Sequence, residues 1–168
     1  MAADAPEIDW SRIQLPAPLD TVNRREEDLP WVPLDENTDT KVTHVNLKTG
    51  MWVVRNRMKP GVQVQTHKHN GPVFAFTVSG TWSYLESPEQ VNGPGSYLFE
   101  PAGSTHTLKV ADDSDGPADV WFLIHGSNLN LDADGKIEWV LDAPTMLAIY
   151  TALCEAHGHG TPGVLIER

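Results

Sequence analysis

His67 and His69 stand two residues apart in a stretch, residues 61–80, whose composition reads as strand. Residues i and i+2 of a strand point to the same face, so both imidazoles aim into one space. Two convergent imidazoles are the beginning of a metal site. A third ligand is then required, and the strongest candidate is His106, which closes the segment from Gly95 through Glu100, Pro101 and Gly103.

These residues form a spaced pattern. Gly61 is followed after five residues by His67, then His69 and later Gly80; Gly95 is followed after five residues by Pro101, then Gly103 and His106. Every spacing of the two-part cupin signature is met, and eight positions in two spaced sets are far more specific than a lone motif. The chain therefore resembles the cupin superfamily. It departs from the pattern at two places. The glutamate expected three or four intervening residues after His69 is replaced by Val73 or Phe74, and counting back from Gly80 selects Val73; the asparagine often found after the last histidine is Val110. The resemblance thus implies a centre of three histidines without the usual carboxylate. Three neutral imidazoles leave a divalent metal at +2, which favours an anionic, chelating oxygen ligand and leaves positions for O2. Fe(II) suits such a site best, and the ligand types also admit Mn, Ni or, in a crystal, Zn.

The segment 67–80, then Trp82 to Glu86, Phe99 to Gly103, and Asn128 to Gly135 resemble the 2,4′-dihydroxyacetophenone dioxygenase family, over most of the chain. The resemblance implies one non-haem iron and O2-dependent cleavage of the bond between a ketone and its hydroxymethyl carbon, giving a carboxylic acid and formate. The related acetylacetone-cleaving dioxygenases split a β-diketone instead. A non-catalytic cupin that binds a metal or small ligand as a sensor is the alternative from another class. A substrate that chelates iron through a carbonyl and a deprotonated hydroxyl needs a group to take the hydroxyl proton. Glu100, six residues before His106, is the candidate, as base, hydrogen-bond partner to a ligand or fourth ligand. Tyr84 and Trp82 are placed either to flank an aromatic substrate or to pack in the core.

Strands must carry these residues. Lys41–Leu47 and Met51–Met58 read as a hairpin, Val62–Thr66 as the lead into the histidines, and Val73–Ser79 as an apolar strand buried on both faces. Thr81–Leu85, Ser96–Glu100, His106–Val110, Val120–His125 and Ile137–Leu141 complete the series, with Asp134-Gly135 marking a hairpin turn. Many short strands between Gly/Pro turns predict an all-β, antiparallel jelly-roll barrel or sandwich. Asp142 as N-cap, Pro144 in the first turn, the spacing of Met146, Ile149, Tyr150 and Leu153, and Gly158 as stop predict a C-terminal α-helix. The expected organisation is an extended arm over 1–40, a jelly roll over 41–141, and a helix with an irregular tail over 142–168.

The remaining candidates have bland explanations. His44 reads as a satisfied structural histidine and His125 as core or rim. His157 and His159 suit a helix end. Cys154 reads as an inert helix residue, and Asp132 and Asp134 as parts of a turn. A formal net charge of −11 without a basic cluster argues against nucleic acid and anionic membranes as partners. One cysteine fits a reducing compartment, and the N-terminus shows no signal-peptide pattern, so a cytoplasmic protein is expected. The partners expected are a small ketone, O2 and, through edge-strand pairing, a second copy in a homodimer.

Overall fold

A computed structural model describes residues 21–168; the greater part of the expected N-terminal arm lies outside the described residues. Fourteen strands are seen among them: β1 (Val32–Pro33), β2 (Thr38–Asn46), β3 (Met51–Met58), β4 (His67–His69), β5 (Val73–Ser79), β6 (Trp82–Tyr84), β7 (Ser87–Asn92), β8 (Tyr97–Glu100), β9 (Thr105–His106), β10 (Leu108–Val110), β11 (Ala118–His125), β12 (Asn128–Leu131), β13 (Ile137–Leu141) and β14 (Leu165–Glu167). One helix, α1 (Ala143–Ala156), precedes β14. Seven strands form one sheet in the order β1-β2-β3-β11-β5-β8, with β14 beside β2; β10-β6-β7 and β13-β12-β4-β9 form two smaller sheets. All pairings are antiparallel except β14 with β2. The expected all-β jelly roll with a C-terminal helix is the observed fold.

The large sheet supplies one wall of the interior. Trp52 and Val54 from β3, Val120, Phe122 and Ile124 from β11, and Val73 and Ala75 from β5 are buried, each two residues from the next along its strand. This is the period-2 alternation of a sheet with one face on the core. The outward faces are polar on β3 and aromatic on β5 and β8. Arg55 and Arg57 both reach the buried Asp119, at 2.6–2.9 Å. The Trp31 ring lies against Lys41, Arg55 and Arg57, and Glu26 pairs with all three cations, so the segment before β2 is tied to the sheet.

Several expectations are corrected. β5 is not buried on both faces: Phe76 is 50% exposed and Val78 47%. Its outward aromatics pack instead on β8, Phe74 against Phe99 and Phe76 against Tyr97, cross-strand pairs that substitute for a covering layer. Residues 62–66 are not a strand; they connect by an isolated Gln63–Lys109 bridge, and the strand proper begins at His67. β7 and β14 were not foreseen. β7 lies at a sheet edge and is largely exposed, so it has no alternating signature, and β14 breaks the expectation of an irregular tail. The helix matches its signals: Asp142 Oδ1 accepts from Thr145 N at 3.0 Å, and Gly158 follows the C-cap with φ +78°. Of the four residues expected on its apolar face, Met146 and Tyr150 are buried, together with Ala143 and Cys154, and Leu153 packs partly buried against the same core. The Tyr150 hydroxyl donates to Pro30 O at 2.6 Å.

The four signature glycines, Gly61, Gly80, Gly95 and Gly103, all have φ between +72° and +91°. Gly80 is the most constrained, because a Cβ there would lie 2.6 Å from Ala118 Cα and 2.7 Å from Pro117 O. Both atoms are backbone and cannot swing away. Gly80→Ala is expected to lower unfolding free energy by about 2–4 kcal/mol, from left-handed strain plus overpacking; denaturant unfolding of the variant checks this.

Candidate metal centre

β4 lies between β12 and β9. Its alternation turns His67 and His69 inward and Lys68 to solvent. His106 on β9 is the direct cross-strand partner of His67, so three imidazoles enter the barrel from one sheet. Their ring centroids are 4.8, 4.9 and 5.0 Å apart, and all three residues are buried. One ring nitrogen from each lies within 4.8 Å of the others, a grouping able to hold a metal ion.

The facing sheet supplies a carboxylate. Glu100, at the end of β8, is the register partner of Val73 on β5. The residue that replaces the expected glutamate therefore sits directly across from a glutamate. Val73 is fully buried and fills space only, while Glu100, also buried, reaches the imidazoles. Glu100 Oε2 is 2.9 Å from His69 Nε2 and 3.1 Å from His106 Nε2, and the two nitrogens are 3.1 Å from each other. The carboxylate missing at Val73 is thus met from the neighbouring strand by Glu100, the candidate that the sequence reading named. Donors at about 2.1 Å from an octahedral metal stand about 3.0 Å apart along each edge. The spacings among His69, His106 and Glu100 match that edge, and the imidazole and carboxylate donor set suits Fe(II), Mn(II), Ni(II) or Zn(II).

The surroundings set the protonation states. His67 Nδ1–H donates to Gln65 O at 2.8 Å, which leaves Nε2 with its lone pair for the cluster. Burial, with smaller contributions from His69 and His106, pulls the His67 pKa down to about 4 against the Gln65 hydrogen bond, so the ring is neutral at pH 7. Burial opposes ionisation of Glu100, yet hydrogen bonds with His106 and His69 and their charge hold its carboxyl well below the usual range. Tyr84 stacks on the His106 ring at 3.9 Å, and its hydroxyl donates to Glu100 Oε1. Burial first, then the Glu100 charge, pushes the Tyr84 phenol far above its usual value, so it acts as a donor and not as a base.

The cluster opens on a cavity of about 360 Å³ lined by His67, His69, Tyr84 and Glu100 together with apolar walls that include Trp52 and Phe122. Such a volume, with a few polar groups converging in apolar walls, is the form of a small-molecule site. Trp82 is not part of the lining; it is buried, with its indole N–H on Thr77 Oγ1 at 3.0 Å, and belongs to the core. Asn128 and Asn130, the register partners of His69 and His67, line the cavity and were not foreseen as site residues. The only available signal was their spacing of two in the segment read as part of a family likeness. The remaining candidates stay outside the cluster. His44 Nε2 meets Glu167 Oε1 at 2.6 Å across β2 and β14; Asp132 Oδ1 accepts from Asp134 N and Lys136 N within the turn; and Cys154 is buried in α1.

Replacing Tyr84 by Phe removes the hydroxyl that fixes Glu100 and leaves the ring on His106. The expected result is unchanged metal content and a turnover number lower by roughly 10- to 100-fold, the worth of one hydrogen bond to a charged group. Metal analysis and steady-state kinetics on the same preparation check it.

Residues 21–117, more than half of the chain, match a family model described as the ChrR cupin-like domain. No curated protein matches the sequence. Among solved structures, a protein of unknown function with a cupin-like fold from Ralstonia eutropha JMP134 is 28% identical, with a TM-score of 0.80 over 93% of this chain and 96% of that one. An RmlC-like cupin protein from the same organism is 25% identical, with a TM-score of 0.80 over 88% of this chain and 95% of that one. An acetylacetone dioxygenase from Acinetobacter johnsonii shares the fold at 17% identity, with a TM-score of 0.69 over 84% of this chain and 97% of that one. No helix among the described residues is long and apolar enough to cross a membrane.

Proposed function

The chain belongs to the ChrR cupin-like family, and from that premise we propose that it is a non-haem Fe(II) dioxygenase cleaving the carbon–carbon bond next to the ketone of an α-hydroxyketone. 2,4′-Dihydroxyacetophenone is the model substrate, with a carboxylic acid and formate as products. The observation that carries this reading is the convergence of His67, His69 and His106, the last two in contact with the Glu100 carboxylate, beside an apolar-lined cavity. His67, His69 and His106 are the proposed iron ligands, and Glu100 is the fourth protein group at the metal. Bound iron would supply the redox chemistry with O2 and a Lewis acid for the two chelating oxygens of the substrate.

The chain's own residues do the rest. Glu100, the carboxylate beside His69 and His106, takes the hydroxyl proton as the substrate enters. Tyr84 holds Oε1 of that carboxylate so that Oε2 faces the imidazoles. Gln65 fixes the tautomer of His67 through its backbone carbonyl. Trp52 and Phe122 exclude water from the cavity and offer flat surfaces to an aryl ketone. β-Diketone cleavage is the second reading, favoured by the structural likeness to an acetylacetone dioxygenase.

The test is O2 uptake by protein reconstituted anaerobically with Fe(II), with 2,4′-dihydroxyacetophenone and acetylacetone in parallel. Uptake with the first supports the proposal, and uptake with the second alone selects the β-diketone reading. One iron per chain without uptake on a panel of such ketones points to a binding or sensing cupin.

A further inference from the structure

His69 stands at the centre of a row that crosses three strands. On one side its register partner is Asn128 of β12. On the other the ladder beyond β9 continues to Ser104, whose carbonyl accepts from His69 N at 3.0 Å. Opposed residues of antiparallel strands carry their side chains on one face, with Cβ atoms about 5 Å apart. His69 Nδ1, Ser104 Oγ and Asn128 Oδ1 are all buried and without a hydrogen-bond partner. Unpartnered buried polar atoms are rare and costly, and three in one row point to a contact that forms in a loaded state.

The chemistry decides which contact. His69 turns Nε2 toward Glu100 and His106. A metal taken by Nε2 obliges the neutral ring to carry its hydrogen on Nδ1. Metal-bound imidazoles almost always donate that N–H to a fixed acceptor. His67 already has one in Gln65 O, whereas His69 has none. Asn128 Oδ1 is an acceptor only, and its carboxamide lines the cavity beside His69.

We propose that Asn128 is the positioning residue of His69: its Oδ1 accepts the Nδ1–H of the metal-loaded ring and fixes tautomer and ring plane. Ser104 flanks the ring from the turn before β9, and its hydroxyl is the competing acceptor that the variants below separate from Asn128. This assignment rests on the reading of His69 as a ligand, and it makes Asn128 a determinant of metal retention rather than of chemistry on the substrate.

The test uses full-length protein loaded with Co(II) and the variants Asn128→Leu, Asn128→Asp and Ser104→Ala. Co(II) affinity is read by chelator competition, and the exchangeable imidazole N–H protons by NMR of the loaded proteins in water. Asn128→Leu is expected to weaken Co(II) binding roughly 10- to 100-fold and to lose one exchangeable N–H resonance to solvent exchange. Asn128→Asp, which keeps the acceptor, and Ser104→Ala are expected to retain both. Wild-type affinity and a full set of resonances in Asn128→Leu would overturn the assignment, as would loss of the resonance in Ser104→Ala or failure of Asn128→Asp to rescue. A wild type that binds no Co(II) overturns the metal reading itself, and this assignment with it.

Discussion

Alanine at His67, His69 or His106 is expected to abolish stoichiometric Fe(II) binding and, with it, O2 consumption. The three rings converge on one space with centroid separations of 4.8–5.0 Å. Loss of His69 or His106 also leaves Glu100 buried with fewer partners, a cost that a folded variant meets by protonating the carboxyl. Metal analysis after anaerobic reconstitution reads the outcome directly. One iron per chain retained in any of the three variants removes that residue from the ligand set.

Glu100→Gln is the second large effect. Glutamine has the same shape and keeps an acceptor for the Tyr84 hydroxyl, but it cannot take up a proton. The variant is expected to keep its iron and to lose roughly 10²- to 10⁴-fold in turnover number, the usual contribution of a positioned general base. An unchanged turnover number excludes the base role. Loss of the metal instead shows that the charge of the carboxylate is needed to hold the ion, as the 2.9 and 3.1 Å contacts to His69 and His106 allow.

The histidine cluster was legible because spacing along a strand translates directly into facing. His67 and His69 share a face by alternation, and the Gly/Pro turn before His106 returns the chain to pair with His67. The four signature glycines mark turns with positive φ, which few other residues adopt without strain. The carboxylate was only half legible. Its absence at Val73 and the candidacy of Glu100, six residues before His106, are visible along the chain, but the placement of Glu100 opposite Val73 depends on the register of β5 and β8, which sequence distance does not encode. Asn128 lies 59 positions after His69 and meets it by register alone, so no local pattern announces it. The same physics explains the misjudged strands. An apolar run such as Val73–Ser79 reads as buried on both sides, yet here aromatic pairs with β8 accommodate its outward face. The sequence Ser-Pro-Glu-Gln-Val-Asn of β7 carries no apolar alternation because its strand is an edge.

The proposed reaction uses O2 to split the bond between a ketone and its hydroxymethyl carbon. The most direct measurement is turnover of 2,4′-dihydroxyacetophenone by Fe(II)-loaded protein under ¹⁸O₂, with mass analysis of both products. One ¹⁸O atom is expected in the aromatic carboxylate and one in formate. Products without label, or no products from protein that carries one iron per chain, would contradict it.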